Sequence, residues 1–512
     1  MNAASLHDKI FSSEQLASDG LKFLPSVDFL KPEAERLGAT APPLVVDLDG
    51  SLILTDSLVE SFLQVVKFRP DAIIPSLLEL LKGRAQFKQF LAERSQLDAS
   101  SLPYRLDLLN YLREEKEKGR RIVLATAAHH NIARAVADHL QLFDEVIASD
   151  ATTNLKGENK LKAIRRLLGE EFVYAGDSLA DIPIWLASRA VITVDTVPSV
   201  TRRLGESVVV ERDFRQPPTN WLTWLRALRC HQWVKNLLLF VPLLTGFAFS
   251  TSQAFSASVL AFIAFCLAAS GTYIGNDIWD IENDRAHPRK RNRAFASGQI
   301  SIISGLAVGA TLLAISLLIA FLVSPEFLLV LVVYIVITTA YSWVLKKYVL
   351  IDVITLAILY TLRVMAGSVA TGLPMTYWLF AFSIFTFFSL ALVKRCAELT
   401  ALKQSNKPAA HGRDYRVEDL IVLYPLGIAA SLCSVVIFGL YIGSAGAQAH
   451  YSNPGILWMV GVGLIYWVSR LWIKTVRGEM HDDPIVFALK DFGSRVVIGG
   501  MVLITLAATF FQ

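Results

Sequence analysis

Charge is scarce in this chain, and cysteine is scarcer. Only 18% of its 512 residues are Asp, Glu, Lys or Arg, while 53% are hydrophobic and the mean hydropathy is +0.45. That composition is too apolar for an ordinary water-soluble fold. The four cysteines, Cys230, Cys266, Cys396 and Cys433, are scattered, with no CxxC pair and no zinc spacing. No disulfide framework is suggested, which suits a reducing compartment for the soluble part. The opening MNAASLHDKIFSSEQ has no apolar core behind a basic start, so no signal peptide is expected. The net charge of +4 is small, and no nucleic acid is expected as a partner.

The apolar residues are unevenly placed. Residues 1–220 mix charges as soluble folds do; beyond about residue 235, long apolar runs alternate with short polar connections. Nine spans of membrane-crossing length are expected, near 235–255, 256–276, 300–323, 326–344, 350–372, 376–393, 419–443, 455–474 and 494–511. The connections after spans 1, 3, 5 and 7 (STSQ, SPE, TGLPMT and GSAGAQAHYSNPG) hold no Lys or Arg at all. Those after spans 2, 4, 6 and 8 hold nearly all of them, which puts the N-terminal domain on the cytosolic side and the C-terminus outside. The same connections carry most of the acids of this half. A face that concentrates both signs suits a metal and an anion.

The densest such stretch is GNDIWDIENDRAHPRKRNRAF, residues 275–295. On a helix, Asp277, Asp280 and Asp284 fall at i, i+3 and i+7 and share a face. Three carboxylates on one face repel unless a cation neutralises them, and magnesium prefers such oxygen ligands together with substrate phosphates. A solvated loop whose cations only set topology would explain the arginines but not the spaced acids. In the soluble half, LVVDLDG (44–50), RIVLATAA (121–128) and EFVYAGDSLAD (171–181) each read as an apolar strand ending in polar residues. Carboxylates at the C-terminal ends of parallel strands sit where α/β folds place their chemistry.

Two resemblances follow. Asn276-Asp277-x-x-Asp280-x-x-x-Asp284 resembles the NDxxDxxxD signature of the UbiA prenyltransferase superfamily, over roughly residues 221–512. The resemblance implies a nine-helix intramembrane enzyme in which Asn276, Asp277, Asp280 and Asp284 bind a substrate diphosphate through Mg2+. The second aspartate pair that aromatic-acceptor members carry after the sixth span is missing. LVKRCAEL stands there, with Lys394, Arg395 and Glu398. Together with RCHQWVKNLLLF, RAHPRKRNRAFASG and YSWVLKKYVLIDV, this stretch is similar to the branch that makes decaprenylphosphoryl-5-phosphoribose. That implies phosphoribosyl pyrophosphate as donor and polyprenyl phosphate as acceptor. Lys235, Arg289, Arg291, Arg293, Lys346, Lys394 and Arg395 are then available for phosphates, with Tyr341 in the YSWVLKKYVLIDV stretch beside them. Arg363, inside span 5, is expected to serve a substrate phosphate or pair structurally in the cavity, or else to snorkel to a boundary. Asp352 could hold a lysine or touch ribose hydroxyls. His287 and His481 are expected to be ordinary interfacial residues, and the role of Asp482 and Asp483 stays open.

The strand-end motifs DxDG(S/T), hydrophobic-Thr, Lys and GDSxxD, all in order, resemble the haloacid dehalogenase superfamily over roughly 43–200. The resemblance implies Asp47 as nucleophile and Asp49 as general acid and base, with Thr126 and Lys160 holding phosphoryl oxygens. Mg2+ would sit on Asp47 and Asp177, supported by Asp181. The segment 52–120 is long enough for a helical cap.

The expected architecture is thus an α/β, Rossmannoid parallel-sheet domain with a helical cap (43–200), followed by an all-α polytopic membrane domain (221–512). Residues 1–42 are an extension of unknown role and 201–220 a linker containing Pro217–Pro218. The expectation is a bifunctional enzyme of the bacterial inner membrane, with both sites facing the cytosol. Its rivals are a prenyltransferase that uses a polyprenyl diphosphate and an aromatic acceptor, and a phosphatase anchored by a non-catalytic membrane half.

Overall fold

The computed structural model describes residues 41–150, 152–204, 208–217, 219–405, 413–480 and 483–510. The expected extension at 1–42 lies outside them but for its last two residues. His481 and Asp482 lie outside them as well.

Strands β1 (Leu44–Val46), β2 (Ile122–His129), β3 (Glu145–Ser149), β4 (Val173–Gly176), β5 (Ala190–Val194) and β6 (Val210–Phe214) form one parallel sheet, ordered β3-β2-β1-β4-β5-β6. Alternation along the strands sorts their side chains into two layers. Leu44, Val46, Leu124 and Ala175 face one core, and Val45, Val123, Ala125 and Tyr174 the other. Helices α4 (Leu106–Glu117), α5 (His130–Leu140), α6 (Glu158–Leu168), α7 (Ile182–Ala187) and α8 (Pro198–Leu204) complete this domain. β6 falls within the segment expected as a linker. Its Phe214 joins the core, so the sheet extends further along the chain than the motifs reach.

Between β1 and α4 stand the three helices of the cap: α1 (Ser57–Phe68), α2 (Ile73–Lys82) and α3 (Arg84–Arg94). Asp56 starts α1 by accepting the Leu58 N–H at 2.8 Å.

The membrane half begins with α9 (Trp221–Ala227). An eleven-residue 3-10 segment, Cys230–Phe240, leads into α10 (Val241–Thr245). Then follow α11 (Ser252–Trp279), α12 (Ile281–Ala286), α13 (Ile302–Val323), α14 (Pro325–Trp343), α15 (Ile351–Thr371), α16 (Tyr377–Gln404), α17 (Leu420–Ile442), α18 (Ala445–His450), α19 (Leu457–Val476), α20 (Pro484–Lys490) and α21 (Phe492–Phe510). Among the described residues, eight helices are long and apolar enough to cross a membrane, not nine.

The span expected at 235–255 is the exception. Its chain runs back along α11: Ser270 Oγ donates to the Leu228 carbonyl at 2.8 Å and accepts from Trp233 Nε1 at 3.0 Å, and Asn236 reaches Cys266 at 3.3 Å. Eleven 3-10 residues and a turn and a half of α-helix reach about 30 Å, the hydrocarbon thickness. In place of a ninth long helix, the chain here is irregular backbone packed between α11 and α15. Such backbone is tolerated at membrane depth only where protein covers it. Gly367 of α15 is what permits the approach, because a Cβ there would overlap the Leu239 carbonyl. Gly367→Ala should cost about 1–3 kcal/mol, as overpacking does. The check is a lowered thermal midpoint in detergent, with Gly499→Ala, where an added Cβ meets nothing on a helical backbone, as the control for handling.

The soluble domain sits on the membrane domain through its cap. Val59 and Leu63 of α1 pack among Trp224, Leu228, Ile278 and Phe295. The buried Arg285 holds Glu60 at 2.6 Å, while Glu282 takes Gln64 at 3.2 Å and Lys67 at 3.5 Å.

Candidate functional sites

In the soluble domain, the carboxylates stand where the sheet ends. Asp47 follows β1, Asp177 follows β4, and Asp181 lies in the 3-10 turn before α7. Their ligand atoms lie within 4.8 Å of one another. Lys160, from α6, reaches Asp47 at 3.0 Å and Asp181 at 3.5 Å. Tyr174 receives a bond from Lys160 at 2.9 Å and donates to Asp181 at 2.8 Å. Asp49 accepts the Ser57 N–H at 2.8 Å and the Ser57 hydroxyl at 3.1 Å. Thr126 is buried on β2, where its Oγ1 accepts the Ala128 N–H at 2.9 Å. β2 runs on to His129 instead of stopping at Thr126, with a register irregularity between the two.

Burial pushes the Asp47 carboxyl up to about 6, against the pull of Lys160. Burial and the Asp56 charge push Asp49 up to about 7. Burial, with Asp47 and Asp181, raises Asp177 to about 7. Each of these carboxyls binds its proton more tightly folded than unfolded, so its contribution to stability is present at low pH and lost as pH rises from about 4 through about 7. In chelator, the unfolding midpoint of this domain should therefore fall across that window. Saturating Mg2+ should offset the fall, and Asp177→Asn should flatten the slope; thermal scans at several pH values check this.

These residues line a cavity of about 640 Å³. Arg84 and Lys88 of α3 close it on the cap side, and Ser301, Ile302 and Ile303 at the start of α13 border it from the membrane domain.

In the membrane half, the three spaced acids meet at a helix break. Asp277 closes α11, Asp280 sits between α11 and α12, and Asp284 lies in α12, so they do not ride one continuous helix. Arg293 gathers two of them, Asp284 at 2.6 Å and Asp277 at 3.1 Å. Arg229 takes Asp277 at 2.5 Å, and Lys346 takes Asp280 at 3.1 Å. Asn276 Oδ1 is buried and has no hydrogen-bond partner among the described residues.

Beside this cluster, Lys235 reaches Asp483 at 2.5 Å and lies over the Tyr360 ring. Lys394 faces the same pair. Asp352 is fully buried, where it holds Arg395 at 2.6 Å and accepts the Tyr341 hydroxyl at 2.8 Å. Arg395 also bridges to Glu398, which takes Arg413 at 2.8 Å. The partner of Asp352 is thus an arginine rather than a lysine. Lys394 and Arg395 also lie within α16, which runs eleven residues beyond the expected end of its span. Arg363 does not snorkel: it is buried against Asn236 at 2.9 Å, the Tyr334 hydroxyl at 2.9 Å and the Leu359 carbonyl. Arg289 and Arg291 are exposed and are not drawn to the acids. His287 accepts the Arg289 N–H at 3.2 Å in an ordinary loop contact.

Sequence reasoning missed Arg229 and Arg413 and gave no role to Tyr174 or Asp483. Arg229 opens the quoted RCHQWVKNLLLF, but nothing local ties it to an acid 48 positions later.

The structure is thus a carboxylate-lined parallel-sheet cleft mounted on a polytopic helical bundle whose head pairs aspartates with cations. A sequence model of the UbiA prenyltransferase family matches residues 239–490, and one of the haloacid dehalogenase-like hydrolases matches 44–185. The chain is 38% identical over 451 residues to the uncharacterized protein y4nM of Sinorhizobium fredii, covering 88% of this chain and 87% of that one. Over 284 residues it is 33% identical to nodulation protein NoeC of Azorhizobium caulinodans, covering 55% and 92%. It is 35% identical over 306 residues to the decaprenyl-phosphate phosphoribosyltransferase of Mycolicibacterium smegmatis, covering 58% and 95%. The chain belongs to the UbiA prenyltransferase family and carries a haloacid dehalogenase-like domain ahead of its membrane half.

Proposed function

We propose that the membrane domain transfers 5-phosphoribose from phosphoribosyl pyrophosphate to a polyprenyl phosphate, and that the soluble domain removes the 5-phosphate from the lipid-linked product. The observation that carries this reading is the head of the bundle, where Asp277, Asp280 and Asp284 are each matched by a cation. A donor with a diphosphate and a separate phosphate needs both signs in one place, and so does a lipid phosphate acceptor. The similarity to the mycobacterial phosphoribosyltransferase supports the choice of donor.

The donor set is all oxygen, and the buried Asn276 Oδ1 lacks a partner, so these residues fit Mg2+. Bound there, Mg2+ would supply positive charge to the departing diphosphate. Arg229, Arg293 and Lys346 would exchange their aspartates for phosphate oxygens as the donor settles. Lys235 and Lys394 would seat the lipid phosphate, one oxygen of which attacks C1 of ribose as the C1–pyrophosphate bond breaks. Positioning and preorganised charge account for the acceleration, and no protein nucleophile is needed. Asp352, Arg395 and Glu398 fill the place of the missing aspartate pair with a buried ionic network.

In the soluble domain, Asp47 would attack phosphorus while Asp49 protonates the departing ribose oxygen. Asp49 would then take a proton from the water that opens the aspartyl phosphate. Lys160 would hold the phosphoryl oxygens, and Asp47, Asp177 and Asp181 fit Mg2+ by the same test of donor chemistry. The positive connections support a reading in which both sites face the cytosol at a bacterial inner membrane.

The test uses the full chain in nanodiscs containing polyprenyl phosphate, given Mg2+ and ribose-labelled phosphoribosyl pyrophosphate. Label should enter the lipid fraction. Transfer from a polyprenyl diphosphate to an aromatic acceptor, with no ribose label in lipid, would overturn the proposal.

A further inference from the structure

Helix α2 inverts the usual sorting of side chains. Its sequence is IIPSLLELLK, yet the residue it buries is Ser76. Ile74 is 72% exposed and Leu81 82%, with Leu77, Leu78 and Leu80 exposed between them. Isolated surface leucines are ordinary, but five large apolar side chains along ten residues form a patch that requires a partner.

The position of α2 identifies that partner. The helix before it, α1, is held to the membrane domain by Glu60–Arg285 and by the contacts of Glu282, at the segment joining α11 to α13. That segment lies where the membrane helices meet the surface carrying the soluble domain. Leu80 of α2 lines the same cavity as Ile303, which lies in the first turn of α13 and is itself exposed. One edge of α2 and the first turn of a spanning helix therefore border the same cavity. The cavity that joins them ends at Asp47, Asp49 and Lys160. Basic residues follow the apolar run, with Lys82 closing α2 and Arg84 opening α3. An apolar face with cations at its edge is how a helix settles into the headgroup layer.

We propose that α2 lies in the bilayer interface and that the phosphatase cleft opens at the lipid surface, so that its substrate is a phosphate monoester carried on a membrane lipid. The insertion stands on geometry alone, and only the substrate rests on the phosphatase reading. The cap thus selects substrate by where it holds the cleft: a lipid-borne phosphate reaches Asp47 past Leu80 and Ile303 without leaving the bilayer.

Two measurements on the full chain in nanodiscs test this. In the first, phospholipids carry a photoreactive group in the acyl chain, and the adducts are mapped by mass spectrometry. Adducts on residues 74–81 are expected. Adducts confined to the spans, with none on residues 74–81, would overturn the insertion. In the second, Leu77→Ser with Leu81→Ser, neither of which lines the cleft, should slow hydrolysis of a lipid-borne phosphate monoester about tenfold while sparing a water-soluble aryl phosphate. Equal loss on both substrates, or on neither, would overturn delivery from the bilayer. If the wild type releases phosphate from no lipid, the substrate assignment falls, and the photoadducts still decide the position of α2.

Discussion

Asp277→Asn should lower phosphoribosyl transfer by roughly a hundred- to a thousandfold while leaving the protein folded, the scale of loss when a charge-stabilising group is removed from a preorganised site. The side chain keeps its shape and can still accept a hydrogen bond. What disappears is the charge that faces Arg229 at 2.5 Å and Arg293 at 3.1 Å. Two guanidiniums then face each other without an acid between them, and the site loses one oxygen ligand for the cation that neutralises the diphosphate. Asp284→Asn should behave likewise, because Arg293 draws both acids together. Asp352→Asn should differ in kind. Its fully buried partner Arg395 would lose its strongest neighbour, and breaking one side of a buried pair costs about 3–5 kcal/mol. Transfer rates in nanodiscs, read beside thermal midpoints, separate the two. Asp277→Asn should lose rate at constant stability, whereas Asp352→Asn should lose stability first.

Asp47→Asn should abolish phosphate release by the soluble domain, by about four orders of magnitude or more, the usual effect of removing a covalent nucleophile. An amide does not attack phosphorus, so no aspartyl phosphate forms. Lys160 retains Asp181 and Tyr174, and the buried strands on either side are untouched, so the domain should stay folded. Transfer by the membrane half should continue at the wild-type rate. Phosphate release from lipid phosphoribose, measured beside transfer in one preparation, checks both halves of the statement.

How much of this was legible beforehand depends on the distance over which each feature is encoded. The apolar runs that lead to Asp47, Thr126 and Asp177 are local patterns, and the parallel sheet follows from them. Length and hydropathy suggested nine spans, and eight of them are helices long and apolar enough to cross a membrane. That Cys230–Phe240 folds as a 3-10 segment and not as a long helix could not be read there, because Asn236, Ser270 and Gly367 meet only in the folded bundle. The three acids were visible as a spacing, but the break at Asp280 and the arrival of Arg229 were not. Positive charge in a connection shows where it faces, not which cation turns inward. Arg293 does so, while Arg289 and Arg291 remain exposed. The cap was expected from segment length alone. That its first helix is also the mount onto the membrane domain required Glu60, Gln64 and Lys67 to be seen against Arg285 and Glu282.

The central claim is that the membrane site makes a lipid-linked phosphate ester which the soluble site then consumes. The mass of the lipid product tests it most directly. With phosphoribosyl pyrophosphate, Mg2+ and polyprenyl phosphate in nanodiscs, the wild type should yield polyprenyl-phosphoryl ribose. Asp47→Asn should yield the same lipid heavier by one phosphate, and Asp277→Asn should yield neither. Products of equal mass from the wild type and Asp47→Asn would separate the two activities, and a lipid lacking ribose altogether would contradict the account.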